Sequence, residues 1–386
     1  MDIRLNDILS EEDIKKAVKN SLEKIDFAKK TFIDTFPSHA SVNNVYTEDE
    51  NIGGWNEGFW TGMLWIAYEL TKKDEYKSAA LHQIPSYMKR ITEKLGVDHH
   101  DMGFLYTPSC VAAYKLTGDE EAKKAAILAA DNLLKRYHEK GEFLQAWGEY
   151  GAKENYRLII DCLLNIPLLY WASEVTGDKK YDEIAYKHFC TTITNIMRPD
   201  GSTYHTFFFN PETGAPEKGV TAQGATDDSC WARGQAWGVY GTMLTQAYHP
   251  NDMAIEKFKK ISDYFLAHLP KDSIPYWDMS FTDGSDEPRD SSAAAIAICG
   301  LLEGCKFLPD DDVDKERYLK AANSMMKSLI DGYMTDTDPE SNGLLLHAVY
   351  SKPGNNGVDE CNIWGDYFFM EAIIRFVTNN KWKLYW

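Results

Sequence analysis

Tyr114-Lys115-Leu116-Thr117-Gly118-Asp119-Glu120-Glu121-Ala122 closes one helix and opens the next. Gly118 suits the position just past a helix C-terminus, where the backbone turns left-handed, and Asp119 suits the N-cap of the helix that follows. The same turn is legible in Tyr68-Glu69-Leu70-Thr71-Lys72-Lys73-Asp74-Glu75-Tyr76 and in Glu174-Val175-Thr176-Gly177-Asp178-Lys179-Lys180-Tyr181. Weaker echoes stand at Pro250-Asn251-Asp252 and Pro309-Asp310-Asp311-Asp312. In each strong case an apolar helix precedes the turn and an amphipathic one follows it.

Extended along the chain, the pattern predicts apolar helices beginning near Asn56, Pro108, Asn165, Ser229, Ser291 and Asn362. Amphipathic helices are expected near Glu11, Glu75, Glu120, Lys180, Ala254 and Lys315, the first of them capped by Ser10. A helix that is apolar all round must be covered on all sides. The alternation therefore predicts an all-α fold, an (α/α)6 barrel of six inner and six outer helices, forming one domain over residues 1–386. An open solenoid is the competing arrangement, but it needs polar capping repeats and none is evident. The linkers into the apolar helices are longer than the Thr-Gly-Asp turns. They should gather at one end of the barrel, where binding residues usually sit. In one of them, Thr203–Phe209 and Gly219–Gln223 flank Asn210-Pro211-Glu212-Thr213-Gly214, which predicts a small β-hairpin at the rim.

The net charge of -18 argues against nucleic acid and anionic membrane as partners. A small anionic ligand stays possible, because a local Arg or His outweighs a screened distant field. Seven cysteines without a CxxC pair, several in apolar helical contexts, read as reduced core thiols. Met1-Asp2-Ile3-Arg4-Leu5-Asn6 lacks the pattern of a secretory signal, and the longest apolar run, Ala293–Leu302, is too short to span a bilayer. The expected location is cytoplasmic. The 11 Trp, 22 Tyr and 17 Phe fit a large core, a ring-lined sugar cleft, or both.

Val97-Asp98-His99-His100-Asp101-Met102-Gly103-Phe104 packs imidazoles and carboxylates before an apolar helix. Proline favours a helix's first turn. Pro108 follows Asp101, and Pro167 follows Asp161, at closely similar distances. If both prolines mark inner-helix starts, Asp101 and Asp161 face the same rim from adjacent helices. Asp161 is bracketed by Leu158, Ile159, Ile160, Leu163 and Leu164, so desolvation should raise its pKa and suit it to general-acid work. The competing reading is a plain helix cap. His99 and His100 suggest a metal, but no third and fourth ligands at suitable spacing are evident, so none is expected and a donor role towards substrate or Asp101 is the reading preferred.

Arg233 stands in an otherwise apolar helix and needs a partner, either Asp227, Asp228 or a substrate carboxylate. It shares a helical face with Trp237. Trp231 and Trp237 fit the core as readily as a site. Trp55 and Trp147 lie at loop–helix junctions, where an indole can stack on a ligand. His205 sits on the predicted hairpin. No dinucleotide fingerprint, P-loop or nucleophile elbow is present, so no cofactor is expected.

His100-Asp101-Met102-Gly103-Phe104, the segment ending in Asp161, Asp228-Ser229-Cys230-Trp231-Ala232-Arg233-Gly234-Gln235-Ala236-Trp237 and Ile363-Trp364-Gly365-Asp366-Tyr367-Phe368 together resemble the unsaturated glucuronyl hydrolases of glycoside hydrolase family 88. The resemblance covers most of the chain, in the same order, and it too implies an (α/α)6 barrel. It implies release of the non-reducing unsaturated uronic acid from lyase-generated oligosaccharides, by hydration of the C4=C5 enol ether. Asp161 then matches the acid and base, and Asp101 the second essential carboxylate. His100, His205, Gln223 and Arg233 match polar substrate contacts, Trp55, Trp147 and Trp237 match aromatic walls, and Tyr350 matches a site tyrosine. Family members vary over Ser351–Val358, where some read a sulfate on the second sugar, so linkage and sulfation preferences stay open. Rivals are an unsaturated rhamnogalacturonyl hydrolase, a sugar 2-epimerase using facing histidines among His99, His100, His205 and His347, and a non-catalytic sugar-binding protein.

Overall fold

The computed structural model describes residues 8–386, and the N-terminal stretch read above as lacking a signal lies outside them. The three Thr turns are built alike. Gly118 and Gly177 adopt φ of +75° and +77°, and Lys72 adopts the same left-handed conformation with φ 57°. The hydroxyls of Thr71, Thr117 and Thr176 donate back to the carbonyls of Ala67, Ala113 and Ala172 at 2.7, 2.7 and 2.6 Å. Asp119 and Asp178 then cap the next helix through the amides of Ala122 and Lys180. Asn251 and Asp312 cap in the same way at the weaker echoes. Ser10 caps the first helix in a reciprocal box with Asp13.

The outer helices are Glu11–Ala28, Asp74–Glu93, Glu120–Leu134, Lys179–Ile196, Asp252–Ala267 and Val313–Gly332. The inner rods are Glu57–Thr71, the composite rod 102–117, Cys162–Asn165 with Pro167–Thr176, Ala232–Tyr248, Ser291–Phe307 and Ile363–Val377. Inner helices are buried on every face; from Ser291 to Cys305 no residue is exposed. Each fully buried Leu, Ile or Phe there contributes on the order of 1.5–3 kcal/mol. The last inner helix packs against the first, closing the ring into the expected (α/α)6 barrel. Trp386 packs inside the ring, its side chain stacked on Phe368 at 5.9 Å, edge-on to Phe104 at 6.3 Å, and its indole N–H donating to Glu371 at 2.8 Å.

One expectation needs correction. Pro108 does not start an inner helix; it lies in a π-turn, Thr107–Val111, inside a rod that already begins at Met102. Pro167 does open the helix Pro167–Thr176, with the short turn Cys162–Asn165 ahead of it in the same rod. Both aspartates nonetheless occupy the position directly before their rods, so the equivalence of Asp101 and Asp161 holds on different grounds. The predicted hairpin is present as Thr206–Phe209 paired with Pro216–Val220, and a third strand, Arg157–Ile159, joins it. Further short hairpins, including Ala348–Ser351 with Asn356–Glu360, decorate the same rim. All seven cysteines are free and all but Cys190 are buried. Among the described residues no helix is long and apolar enough to cross a membrane.

Candidate active site

Residues near the inner-helix N-termini and on the rim loops and hairpins converge on a cavity of about 300 Å³ lined by Trp55, Asp101, Trp147, Ile159, Asp161, His205, Ala222, Gln223, Trp231, Arg233, Trp237 and Tyr350. Helix N-termini carry partial positive charge. The rim thus favours an anion despite the acidic chain.

Asp101 and Asp161 each hold an N-cap position, yet neither side chain caps its helix. The plain-cap reading of Asp161 therefore falls away. Its carboxyl is 20% exposed, towards the cavity, while Asp101 is 2% exposed. The His100 ring sits behind both, its Nε2 3.2 Å from Asp161 Oδ1 and 3.4 Å from Asp101 Oδ1. His100 is thus absent from the cavity lining, where a substrate contact would be. His99 is locked: its Nδ1 accepts the Asp101 amide, so its Nε2 carries the proton and donates to the Gly96 carbonyl at 2.9 Å. Trp147 stacks flat on it, with centroids 4.2 Å apart. Asn165, one turn beyond Asp161, donates to Asp101 Oδ1 at 3.0 Å.

These surroundings drive the two carboxyls apart. Burial pushes Asp161 above its ordinary value; His100 opposes this, and the Asp101 charge adds to it. Burial would also raise Asp101, but the His100 charge and the Asn165 amide outweigh it and hold Asp101 below the usual range. Burial pulls His100 down, and the two carboxylates more than compensate, so its pKa is raised. A low and a high carboxyl side by side are the pattern of one group kept ionised and its partner kept as an acid. One nitrogen of His100 and one oxygen from each carboxylate lie within 4.8 Å of one another, and among the described residues this is the one triad that could hold a cation.

The strand Arg157–Ile159 pairs with the hairpin so that Ile159 faces Thr206, which brings His205 beside Asp161. Burial and the Arg233 charge push His205 down to about 3, so it is a neutral imidazole. Trp55 donates its indole N–H to the Tyr350 hydroxyl at 3.3 Å and packs on Trp364. Trp237 packs on Phe104 from the opposite wall.

Arg233 has neither expected acid as its partner. Asp227 accepts the Thr221 amide and Asp228 is exposed. Arg233 instead meets Asp290 at 3.3 Å, the carbonyls of Val349 and Tyr350, and Gln223 Oε1 at 2.7 Å. Its guanidinium also lies over the Trp231 ring at 4.4 Å. Trp231 therefore serves the cavity wall as well as the core. Asn165 and Asp290 were missed, although an Asp before Ser291-Ser292 is a readable N-cap. Lys352 lies on the hairpin rim, 3.8 Å from Glu287. His347 pairs with Asp359 at 2.6 Å and stands outside the lining, so among the described residues no two histidines face each other across the cavity as an epimerase would need.

A model of Glycosyl Hydrolase Family 88 matches residues 24–378. The chain is 50% identical, over 98% of its length and 95% of the relative's, to an unsaturated chondroitin disaccharide hydrolase of Streptococcus pneumoniae. A crystal structure of an unsaturated glucuronyl hydrolase from Streptococcus agalactiae superposes with a TM-score of 0.96 at 48% identity, covering 99% of this chain and 95% of that one. A mutant of that enzyme complexed with dGlcA-GalNAc6S superposes at 0.88 with 44% identity, over 99% and 95%.

Proposed function

Because the chain belongs to Glycosyl Hydrolase Family 88, we propose that Asp161 is the acid and base of its reaction and Asp101 the anion beside it. The enzyme is an unsaturated glucuronyl hydrolase, releasing the non-reducing terminal unsaturated glucuronic acid from glycosaminoglycan-type oligosaccharides. The observation that carries the division of labour is the cavity-facing Asp161, held as an acid by burial next to an ionised Asp101.

Asp161 gives its proton to C4 of the C4=C5 enol ether. The double-bond electrons form the C4–H bond, and C5 becomes an oxocarbenium centre shared with the ring oxygen. Water adds at C5 and returns a proton to Asp161. The hemiketal then opens to a C5 ketone as the ring oxygen leaves C5 with a proton. The hemiacetal left at C1 collapses to an aldehyde and frees the sugar alcohol. The net consumption is one water. Direct glycosidic cleavage uses two carboxyl groups roughly 5–9.5 Å apart that flank the bond. Here both carboxylates touch one side of the same imidazole, which leaves no place for a sugar between them.

His205, Gln223, Arg233 and Tyr350 are read as the polar contacts, with Trp55, Trp147 and Trp237 as walls. His100 is read as the charge link between the aspartates. The N–H groups on both terminal nitrogens of Arg233 already have acceptors, so its pull on the uronate is electrostatic unless Gln223 yields its place. The second sugar is read as an N-acetylgalactosamine, by likeness to the relatives. We read the chain as one catalytic domain, since the inner helices close a single ring beneath one cavity. The free thiols fit a cytoplasmic site that receives lyase products.

A panel of unsaturated disaccharides from chondroitin, hyaluronan, heparin and rhamnogalacturonan, followed by loss of enol-ether absorbance, tests the reading. Turnover of the chondroitin member is expected. Turnover of the rhamnogalacturonan member alone would transfer the assignment to the rival family. Asp161 as the proton donor requires no Lewis acid, so kcat is expected to be unchanged after dialysis against a chelator. A loss restored by a divalent cation would put a metal on His100, Asp101 and Asp161 instead.

A further inference from the structure

Asn165 uses every polar atom of its amide on the two aspartates' rods. It is 1% exposed. Its Nδ2 donates to Asp101 Oδ1 at 3.0 Å and to the Asp161 carbonyl at 3.3 Å, and its Oδ1 accepts the Phe104 amide at 2.9 Å. The two rods meet at this point without a gap, because a β-carbon on Gly103 would run into the Asn165 backbone. A primary amide has two donor hydrogens and one acceptor oxygen, and both kinds are committed here.

Resting on the roles assigned above to Asp101 and Asp161, we infer that Asn165 is a positioning residue that keeps Asp101 ionised and holds the two carboxyls at their working separation. Asp101 is 2% exposed, and an ionised carboxylate buried that deeply needs donors. His99 Nδ1 lies 3.4 Å from Asp101 Oδ2, but it accepts the Asp101 amide and so has no hydrogen to give that carboxylate. His100 must serve both carboxylates with one nitrogen. The Asn165 amide is the donor that belongs to Asp101 at every pH.

The consequence is a specific change in the pH profile of kcat/KM. The acid limb reports Asp101 gaining a proton, and the alkaline limb reports Asp161 losing one. A hydrogen bond that favours the charged form lowers the pKa, so its removal raises it. For Asn165→Leu the acid limb should move towards neutrality by about one pH unit, while the alkaline limb stays in place. Asn165→Asp keeps an oxygen for the Phe104 amide, and so the joint between the rods, but loses both donors. Its acid limb should move at least as far.

Profiles of wild type, Asn165→Leu, Asn165→Asp and Asp161→Asn, with melting curves of each, test the inference. Should Asn165→Asp remain folded with its acid limb where the wild type has it, Asn165 is a structural joint only and the inference is wrong. Should Asp161→Asn keep normal turnover, the assigned acid is wrong whatever Asn165 does. If Asn165→Leu fails to fold, Asn165→Asp still decides. A fall in kcat with no movement of either limb also overturns the role.

Discussion

Asp161→Asn is expected to lower turnover of an unsaturated disaccharide by roughly 10³-fold, within the range that a positioned proton donor supplies. The amide has the size of the carboxyl but no proton to give to C4 at any pH. The substitution also isolates chemistry from folding. The Asp161 carboxyl does not cap its helix, and its Oδ1 meets only the His100 ring, Nε2 at 3.2 Å. Burial raises its pKa above the unfolded value. Such a group contributes stability that is fully present below the unfolded pKa and is lost as pH rises through the folded one. Near neutral pH the neutral amide should therefore match or slightly exceed the wild type in Tm. Binding, read from fluorescence of Trp55, Trp147 and Trp237, should persist. Near-normal loss of enol-ether absorbance in a folded variant would remove Asp161 from the acid role.

What was legible in the sequence was whatever is written locally. The Thr-Gly-Asp turns are complete within a few residues, so the barrel could be read from caps and apolar runs. Asp101 and Asp161 stood out because their neighbours in sequence are also their neighbours in space. Pro108 misled for the converse reason. A proline favours a first turn, yet it is tolerated here because a π-turn absorbs the missing amide. The strand Arg157–Ile159 is too short to carry periodicity and exists only because the hairpin strand Thr206–Phe209 lies beside it. His100 matches a substrate contact through the family resemblance, but the turn before Met102 sends its ring behind the carboxylates, where it meets Asp101 instead. The partner of Arg233 was sought in Asp227 and Asp228, close in sequence. Asp290 comes from the next inner helix, and only closure of the ring brings it into reach.

That contact makes Asp290→Ala the most destabilising single change expected at this rim, at about 3–5 kcal/mol. Arg233 is 1% exposed and Asp290 fully buried. Burial pulls the Arg233 pKa down and pushes the Asp290 pKa up, so each charge is tolerated only in the presence of the other. Alanine leaves the guanidinium desolvated with neutral acceptors alone. It also strips the cap from Ser291–Phe307, where Asp290 Oδ1 accepts the Ser292 amide and hydroxyl, a loss worth about 1 kcal/mol. It loosens the Val349 amide as well, and with it the strand that presents Tyr350. For a chain of this length the fall in Tm is on the order of 5 °C. Asp290→Asn separates the causes. It keeps the cap oxygen but turns an N–H towards Arg233, so most of the loss should remain. KM should rise more than kcat falls, because Arg233 and Tyr350 are read as holding the uronate rather than moving its protons. A variant with alanine here and an unchanged Tm would mean that the Val349, Tyr350 and Gln223 oxygens suffice for Arg233. Equal losses in kcat and kcat/KM for the asparagine variant would instead place Arg233 in the transition state of proton transfer.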